Sequence, residues 1–229
     1  MMKRWKYILS VGLGIIMAVS AVACNKQSED EHINIDAYTV EYTDHPLFAN
    51  GASQYKILIP ADATESEKYA ADELSMIFEQ STGKALPIVA EGEGNASSVI
   101  SIGNTDAAEE AGITTSESTM GNGGFVIRTI DENLYIDSNT EAGKIYGALF
   151  FAEKNLGYMY YSEDEIKYTH YDKVMLGDFD LTYKPSFDGR NVYSYDTLYN
   201  SDNAVHLRVN GVKYTWDKKY GEASMWSTL

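Results

Sequence analysis

Glu163, Asp164 and Glu165 form the densest acidic cluster outside residues 25–32. Neighbouring carboxylates can do general acid–base chemistry if burial separates their pKa values. Three consecutive residues on an exposed loop do not meet that condition, so the cluster reads as a solvated turn. Ser81 and Ser118 lie outside any nucleophile-elbow context. The run Gly121, Asn122, Gly123, Gly124 lacks both the strand-then-helix setting and the lysine of a phosphate loop. His45, His170 and His206 are far apart, none with a second ligand at i+3 or i+4, so they read as surface or hydrogen-bonded histidines. One cysteine, Cys24, rules out an internal disulfide framework and a cysteine-based zinc site. No metal and no cofactor is expected, and no catalytic residue is assigned.

Charge narrows the partners. Among 229 residues, 18 Lys and Arg face 34 Asp and Glu, a formal net charge of −16, which disfavours nucleic acid as a partner. At 44% hydrophobic and 23% charged, the composition is that of an ordinary globular chain. Lys3, Arg4 and Lys6 precede an uncharged, mostly apolar stretch over residues 7–23, which reads as an export signal. It ends in Ala21, Val22, Ala23 and Cys24, which resembles the lipobox of bacterial lipoproteins; that resemblance makes Cys24 the lipid-attachment residue and residues 1–23 a signal peptide. An ordinary secretory signal cut nearby and an uncleaved anchor are the alternatives. Removing residues 1–23 takes away three basic groups and no acidic ones, leaving −19. Residues 24–50 read as a tether and lead-in, polar over 25–32. The expected location is extracytoplasmic, lipid-anchored to a bacterial membrane, with acyl chains supplying the membrane affinity.

The folded body should begin with a strand over residues 55–59, closed by Pro60. Thr64 and Glu67 have capping-box spacing, and Ala70, Leu74, Ile77 and Phe78 then recur at helical intervals up to Gly83. Short apolar runs at 86–89 and 98–102 read as strands. A short helix is expected over 105–111 and a Gly- and Ser-rich loop over 114–123. Residues 124–129 and 133–137 flank Asp131 and Glu132 as an antiparallel hairpin. A second long helix is predicted over 141–156, capped by Thr140 and stopped at Gly157, with Ile145, Leu149, Ala152 and Leu156 facing the same sheet as the first helix. This is an α/β (α+β) arrangement: a two-layer mixed sheet with two main helices.

Several segments, taken in order, resemble the N-terminal domain that precedes the catalytic barrel in glycoside hydrolase families 67 (alpha-glucuronidases) and 20 (hexosaminidases). They are Ile57, Leu58, Ile59 and Pro60; residues 67–74; residues 82–88; Ser101, Ile102 and Gly103; residues 124–127; and residues 142–153. The resemblance covers residues 55–190 and implies a non-catalytic domain that packs against a barrel. Pro185, Phe187 and Arg190 are similar to the Pro-x-Phe-x-x-Arg that opens the first barrel strand in family 20, which implies that Arg190 contacts sugar hydroxyls. Pairing of Arg190 with an acidic neighbour is the alternative. Residues 202–211 resemble the helix after that strand. Only 45 residues follow Lys184, whereas a (β/α)₈ barrel needs roughly 200 to 250. Residues 185–229 are therefore expected to be the incomplete first unit of a truncated barrel, following a domain over 51–184. Nine of the 18 tyrosines fall between Tyr158 and Tyr199, as suits either a domain interface or a sugar platform.

The leading expectation is thus an accessory part of a surface carbohydrate-active lipoprotein, with glycan and membrane as partners and no hydrolysis by this chain alone. A stand-alone surface glycan-binding module is the alternative. A small intact enzyme would need a cleft with two convergent carboxylates.

Overall fold

A computed structural model describes residues 34–93, 98–210 and 216–221. They belong, Asn34 apart, to one compact unit, Ile35–Leu229. Cys24 and the export signal lie outside the described residues. No helix among the described residues is long and apolar enough to cross a membrane.

Strand β1, Glu41–Phe48, follows a 3₁₀ turn at Ile35–Ala37. Then come β2, Tyr55–Ile59, and α1, Glu65–Thr82. Thr64 and Glu67 form the expected capping box, and Gly83 closes the helix with φ of 77°, a backbone region costly to residues with a Cβ. Strand β3 is Ile88–Ala90, two residues later than the apolar run at 86–89 suggests, because Leu86 turns into the core and the Pro87 carbonyl already accepts from Ile57. Strand β4 is Ser98–Ile102 and α2 is Asp106–Glu110, capped by Thr105. The loop expected over 114–123 contains a helical turn, α3, Glu117–Met120, because Ser116 caps it and Met120 is fully buried. The hairpin is β5, Phe125–Ile130, with β6, Asn133–Asp137. Helix α4, Glu141–Leu156, has the predicted cap at Thr140 and stop at Gly157.

Six strands form one mixed sheet in the order β10-β5-β6-β4-β2-β3, where β10 is Asp180–Tyr183. Strands β2, β3, β4 and β6 are parallel, and β5 alone is reversed, pairing antiparallel with both β6 and β10. Alternation decides the layers. Ile57, Ile100, Leu134, Ile136, Phe125 and Ile127 face the main core with Leu74, Ile77 and Phe78 of α1 and Ile145, Leu149 and Phe150 of α4. Val126 and Tyr135 point the other way, into a small cluster with Ala108, Ile113 and Met120. Each large side chain buried here contributes about 1.5–3 kcal/mol. The expected two-layer α/β body is present.

Helix α4 is more enclosed than a one-stripe reading predicts, with 13 of its 16 residues buried. Its outer side is covered by β9, Val174–Asp178, paired with β1, and by the segment after β10. Asn155 ties the helix end to β9, accepting from Gly177 N–H at 2.6 Å and donating to the Met175 carbonyl. After a small hairpin, β7 Met159–Ser162 with β8 Glu165–Lys167, the last described part carries α5, Tyr195–Leu198, α6, Ser201–His206, and a 3₁₀ turn, Lys218–Tyr220. The helical half of the expected barrel unit is thus shorter than residues 202–211. Residues 185–190, expected to open the first barrel strand, form no strand; Asn210 bonds this stretch instead through Asp188 and Arg190. The Arg190 backbone groups and the Asp188 carbonyl are thus satisfied by Asn210 and not by a neighbouring strand.

Candidate functional site

The residues that drew attention by type alone are dispersed. Glu163, Asp164 and Glu165 lie at the exposed turn of the β7–β8 hairpin, where Glu163 accepts from Asn200. Ser118 is exposed and shares its hydroxyl with Ser116, while Ser81 is buried in the last turn of α1. The backbone of Gly121 and Asn122 is tied down by Asn139 and Asp188. His170 is exposed, His45 lies 3.7 Å from Asp44, and His206 is buried. Among the described residues no group of three or more His, Cys, Asp or Glu is placed to hold a metal ion.

The densest meeting of charges lies elsewhere, at the C-terminal ends of β4 and β6, where open α/β sheets place ligands. Glu67 is brought there by its capping role: Oε2 accepts from Thr64 N–H at 2.8 Å, leaving Oε1 to accept from Lys144 Nζ at 2.7 Å. Lys144 lies on the first turn of α4 and donates a second bond to Glu141 Oε1, also at 2.7 Å. Thr64 Oγ1 donates to the other oxygen of Glu141, so one ammonium and one hydroxyl join the starts of both long helices. Asp137 ends β6 beside them, accepting from Ser138 N–H at 2.8 Å. Any Cβ at Gly103, the residue after β4, would run into the Glu67 carboxylate.

Electrostatics separates these groups. Burial pushes Asp137 up to about 6 against the pull of the Ser138 N–H and Lys144. Burial opposes the charge on Lys144, but its bonds to Glu141 and Glu67 outweigh that and hold it above the usual lysine value. Glu141 is held low by Lys144 and Thr64 despite its own desolvation. Glycoside cleavage asks for two carboxyl groups about 5–9.5 Å apart across a bound sugar. Here Glu67 and Glu141 share one ammonium instead. The Glu67 and Lys144 side chains are only 4% and 10% exposed. Of the charged groups here, Glu141 reaches solvent space, lining a polar cavity of about 490 Å³ with Glu117, Asn122, Asn139 and Thr140. The arrangement fastens α1 to α4.

Sequence reasoning missed this cluster because Glu67 and Lys144 are 77 residues apart. One signal was available: Lys144 stands three residues after Glu141 inside an otherwise apolar run, where an unpaired ammonium is costly.

Arg190 is half-buried and spends Nε and Nη1 on backbone. Nε donates to the Arg208 carbonyl at 2.9 Å, and Nη1 donates to the carbonyls of Phe187 at 2.9 Å and Asn122 at 3.2 Å. Its guanidinium lies 5.7 Å from the Tyr146 ring centroid. Neither a carboxylate nor an open sugar subsite is needed to explain this geometry; Arg190 knots the C-terminal segment to the loop before β5.

The nine clustered tyrosines divide. Tyr158 is fully buried and Tyr160, Tyr168, Tyr171 and Tyr183 pack partly against the main core. Tyr193 and Tyr195 are each 75% exposed, Phe187 is 74% exposed, and the rings of Tyr195 and Tyr199 lie 4.7 Å apart. The segment after β10 therefore carries an aromatic surface outward.

Residues 46–151 match the family model described as "Glycosyl hydrolase family 67 N-terminus". A search of curated proteins found no match. Among solved structures, the GH20 beta-N-acetylhexosaminidase of Streptomyces coelicolor A3(2) is 17% identical with a TM-score of 0.47, over 76% of this chain and 32% of that one. The GH115 4-O-methyl-alpha-glucuronidase BtGH115A is 15% identical with a TM-score of 0.49, over 74% and 25%. CpGH84B is 17% identical with a TM-score of 0.48, over 81% and 30%. The chain spans about a third or less of the length of these structures. The α/β body resembles the N-terminal domain of a glycoside hydrolase.

Proposed function

We propose that this protein is the non-catalytic accessory domain of a glycoside hydrolase-like surface lipoprotein, a partial enzyme whose aromatic segment meets a catalytic barrel. The match of residues 46–151 to the family 67 N-terminus carries the reading. The outward rings of Phe187, Tyr193 and Tyr195, all carried by one segment, support it, because exposed aromatic side chains favour an interface. In this reading Cys24 takes the lipid and holds the protein outside the cytoplasm, and the parent assembly acts on polysaccharide. Arg190 would present the donors not engaged by backbone to sugar hydroxyls, held in place by the three carbonyls it already serves.

The second reading, a stand-alone glycan-binding module, is favoured by one observation, the close Tyr195–Tyr199 ring pair, since paired aromatic faces suit pyranose rings. Reading the gene beyond the Leu229 codon separates the two. Barrel-coding sequence, in frame or frame-shifted, is the outcome expected for the accessory domain. A stop followed by unrelated sequence, together with binding on a glycan array, would favour the module. Cys24→Ser should abolish incorporation of labelled fatty acid, and persistent labelling would remove the lipoprotein assignment.

A further inference from the structure

We infer that His206 is a pH-operated latch: protonated, it clamps α6 and the aromatic segment preceding it onto α1, and loss of its proton loosens that attachment. The inference rests on which atoms face the imidazole. Nδ1 is 2.9 Å from the Asp202 carbonyl, which can only accept, so this nitrogen carries a hydrogen. Nε2 is 3.3 Å from Glu73 Oε2 on α1, again an acceptor. A neutral ring with its hydrogen on Nδ1 would turn the Nε2 lone pair toward a carboxylate oxygen, in a residue only 7% exposed. The doubly protonated imidazolium satisfies both contacts.

The surroundings add to this preference. The Tyr160 ring of β7 stacks on the imidazole at 4.5 Å and 19°, a geometry that favours a cation. On its own helix, Asp202 Oδ2 lies 3.8 Å from Nδ1, and Asp202 Oδ1 accepts from Tyr69 of α1 and Tyr220 of the 3₁₀ turn. Lys219 stands over the rings of Tyr69 and Tyr220, and Arg208 is paired with Glu153 of α4 at 2.7 Å. Glu163 of the β7–β8 turn reaches the cluster through Asn200. Burial lowers the His206 pKa, but the bonds to Glu73 and to the Asp202 carbonyl and the charges of both residues outweigh it and hold His206 above its ordinary value. Burial raises the phenols of Tyr69 and Tyr220, and that of Tyr160 to about 12, so none of these three titrates near neutrality.

The latch matters because α6 is short and buries only two apolar side chains of its own, Ala204 and Val205. Val209 and Tyr220 are buried in the same region, and much of what ties it to the body is polar: Tyr160 to Asn203, Tyr69 to Asp202, Arg208 to Glu153. A group whose folded pKa is raised stabilises most below its unfolded value, near 6.5 for histidine, and that contribution is lost as pH rises through the folded value.

Hydrogen exchange on the full chain, corrected for intrinsic rates between pH 5 and 9, tests this. The amides of Ala204, Leu207 and Val209, bonded to Asn200, Asn203 and Ala204, should lose protection as pH rises above the ordinary histidine range. The limiting slope should be about tenfold per pH unit, as one proton requires. The amides of β4 and β6 should be unaffected. Glu73→Gln should move the midpoint down, and His206→Gln should flatten the profile. Protection independent of pH in the parent protein would overturn the inference. So would a pH dependence that persists in His206→Gln, or a His206 imidazole that titrates at or below 6.5 by NMR.

Discussion

Lys144 and His206 are built to the same plan and behave differently. Each is a buried cation set between a glutamate of α1 and an acidic residue one turn earlier on its own helix: Glu67 and Glu141 for the lysine, Glu73 and Asp202 for the histidine. The lysine holds the starts of α1 and α4 together at the ends of the parallel strands, with an ammonium whose charge persists across the physiological range. The histidine holds a short helix on the outside of α1 with a charge that is withdrawn as pH rises above the ordinary histidine range. Where the core closes, the cation is permanent. Where a peripheral segment docks, it is reversible.

The largest expected effect comes from removing the permanent one. Lys144→Met would leave Glu67, whose side chain is 4% exposed, without its cation, next to Asp137. Breaking a buried pair from one side costs about 3–5 kcal/mol. Urea unfolding at pH 7 should show a loss of that size, and a change below about 1 kcal/mol would mean that the cluster is solvated and not a fastening. Substituting all three partners at once, Glu67→Gln and Glu141→Gln with Lys144→Met, should recover part of the loss, because neither glutamate then leaves an unpaired charge.

Asp137 gives an effect of opposite sign and intermediate size. A carboxyl group whose folded pKa is about 6 binds its proton more tightly folded than unfolded, so it favours the fold at low pH. That contribution is lost as pH rises through about 6. Asp137→Asn is neutral at every pH and can still accept from Ser138 N–H. It should therefore match the parent protein near pH 4 and exceed it at pH 8 by about 1–3 kcal/mol, taking about 1.4 kcal/mol per pKa unit as the scale. Equal stability at both pH values would show that Asp137 is not strained by its burial. Combined with Lys144→Met, the gain at pH 8 should grow, since the ammonium is one of the groups that lowers the Asp137 pKa.

The two cations also mark how far local pattern reaches. The capping box at Thr64 and Glu67, the start and stop of α4 at Thr140 and Gly157, and the β5–β6 hairpin are decided within a few residues, and all were legible. Strand β1 was not: it contains Asp44 and Pro46, lacks alternation, and exists because β9 pairs with it across a shifted register at Pro46. The role of Glu67 as a ligand of Lys144 was hidden behind its capping role, which uses only one of its two oxygens. For His206, the i,i+4 relation to Asp202 lies in the sequence, but Glu73, 133 residues away, is what makes the imidazole a cation. Arg190 could be singled out by motif; its carbonyl partners Asn122, in the loop before β5, and Arg208, after α6, could not be foreseen, whereas Phe187 is only three residues away.

The smallest effect on stability should come from the surface that the histidine-latched segment carries. Tyr193 and Tyr195 are 75% exposed, so Tyr193→Ser with Tyr195→Ser should change unfolding free energy by about 0.5 kcal/mol or less. Association is where these rings should act: an exposed apolar patch drives self-contact when its partner is missing. Sedimentation of the parent protein should show concentration-dependent association that the double substitution reduces. If the segment is held by His206, association of the parent should also change with pH above the ordinary histidine range, while a Lys144→Met protein that remains folded should keep that dependence. Loss of the pH dependence on changing Lys144 would mean that the two fastenings are coupled through α1 and that the contrast between a permanent and a reversible cation is one of degree.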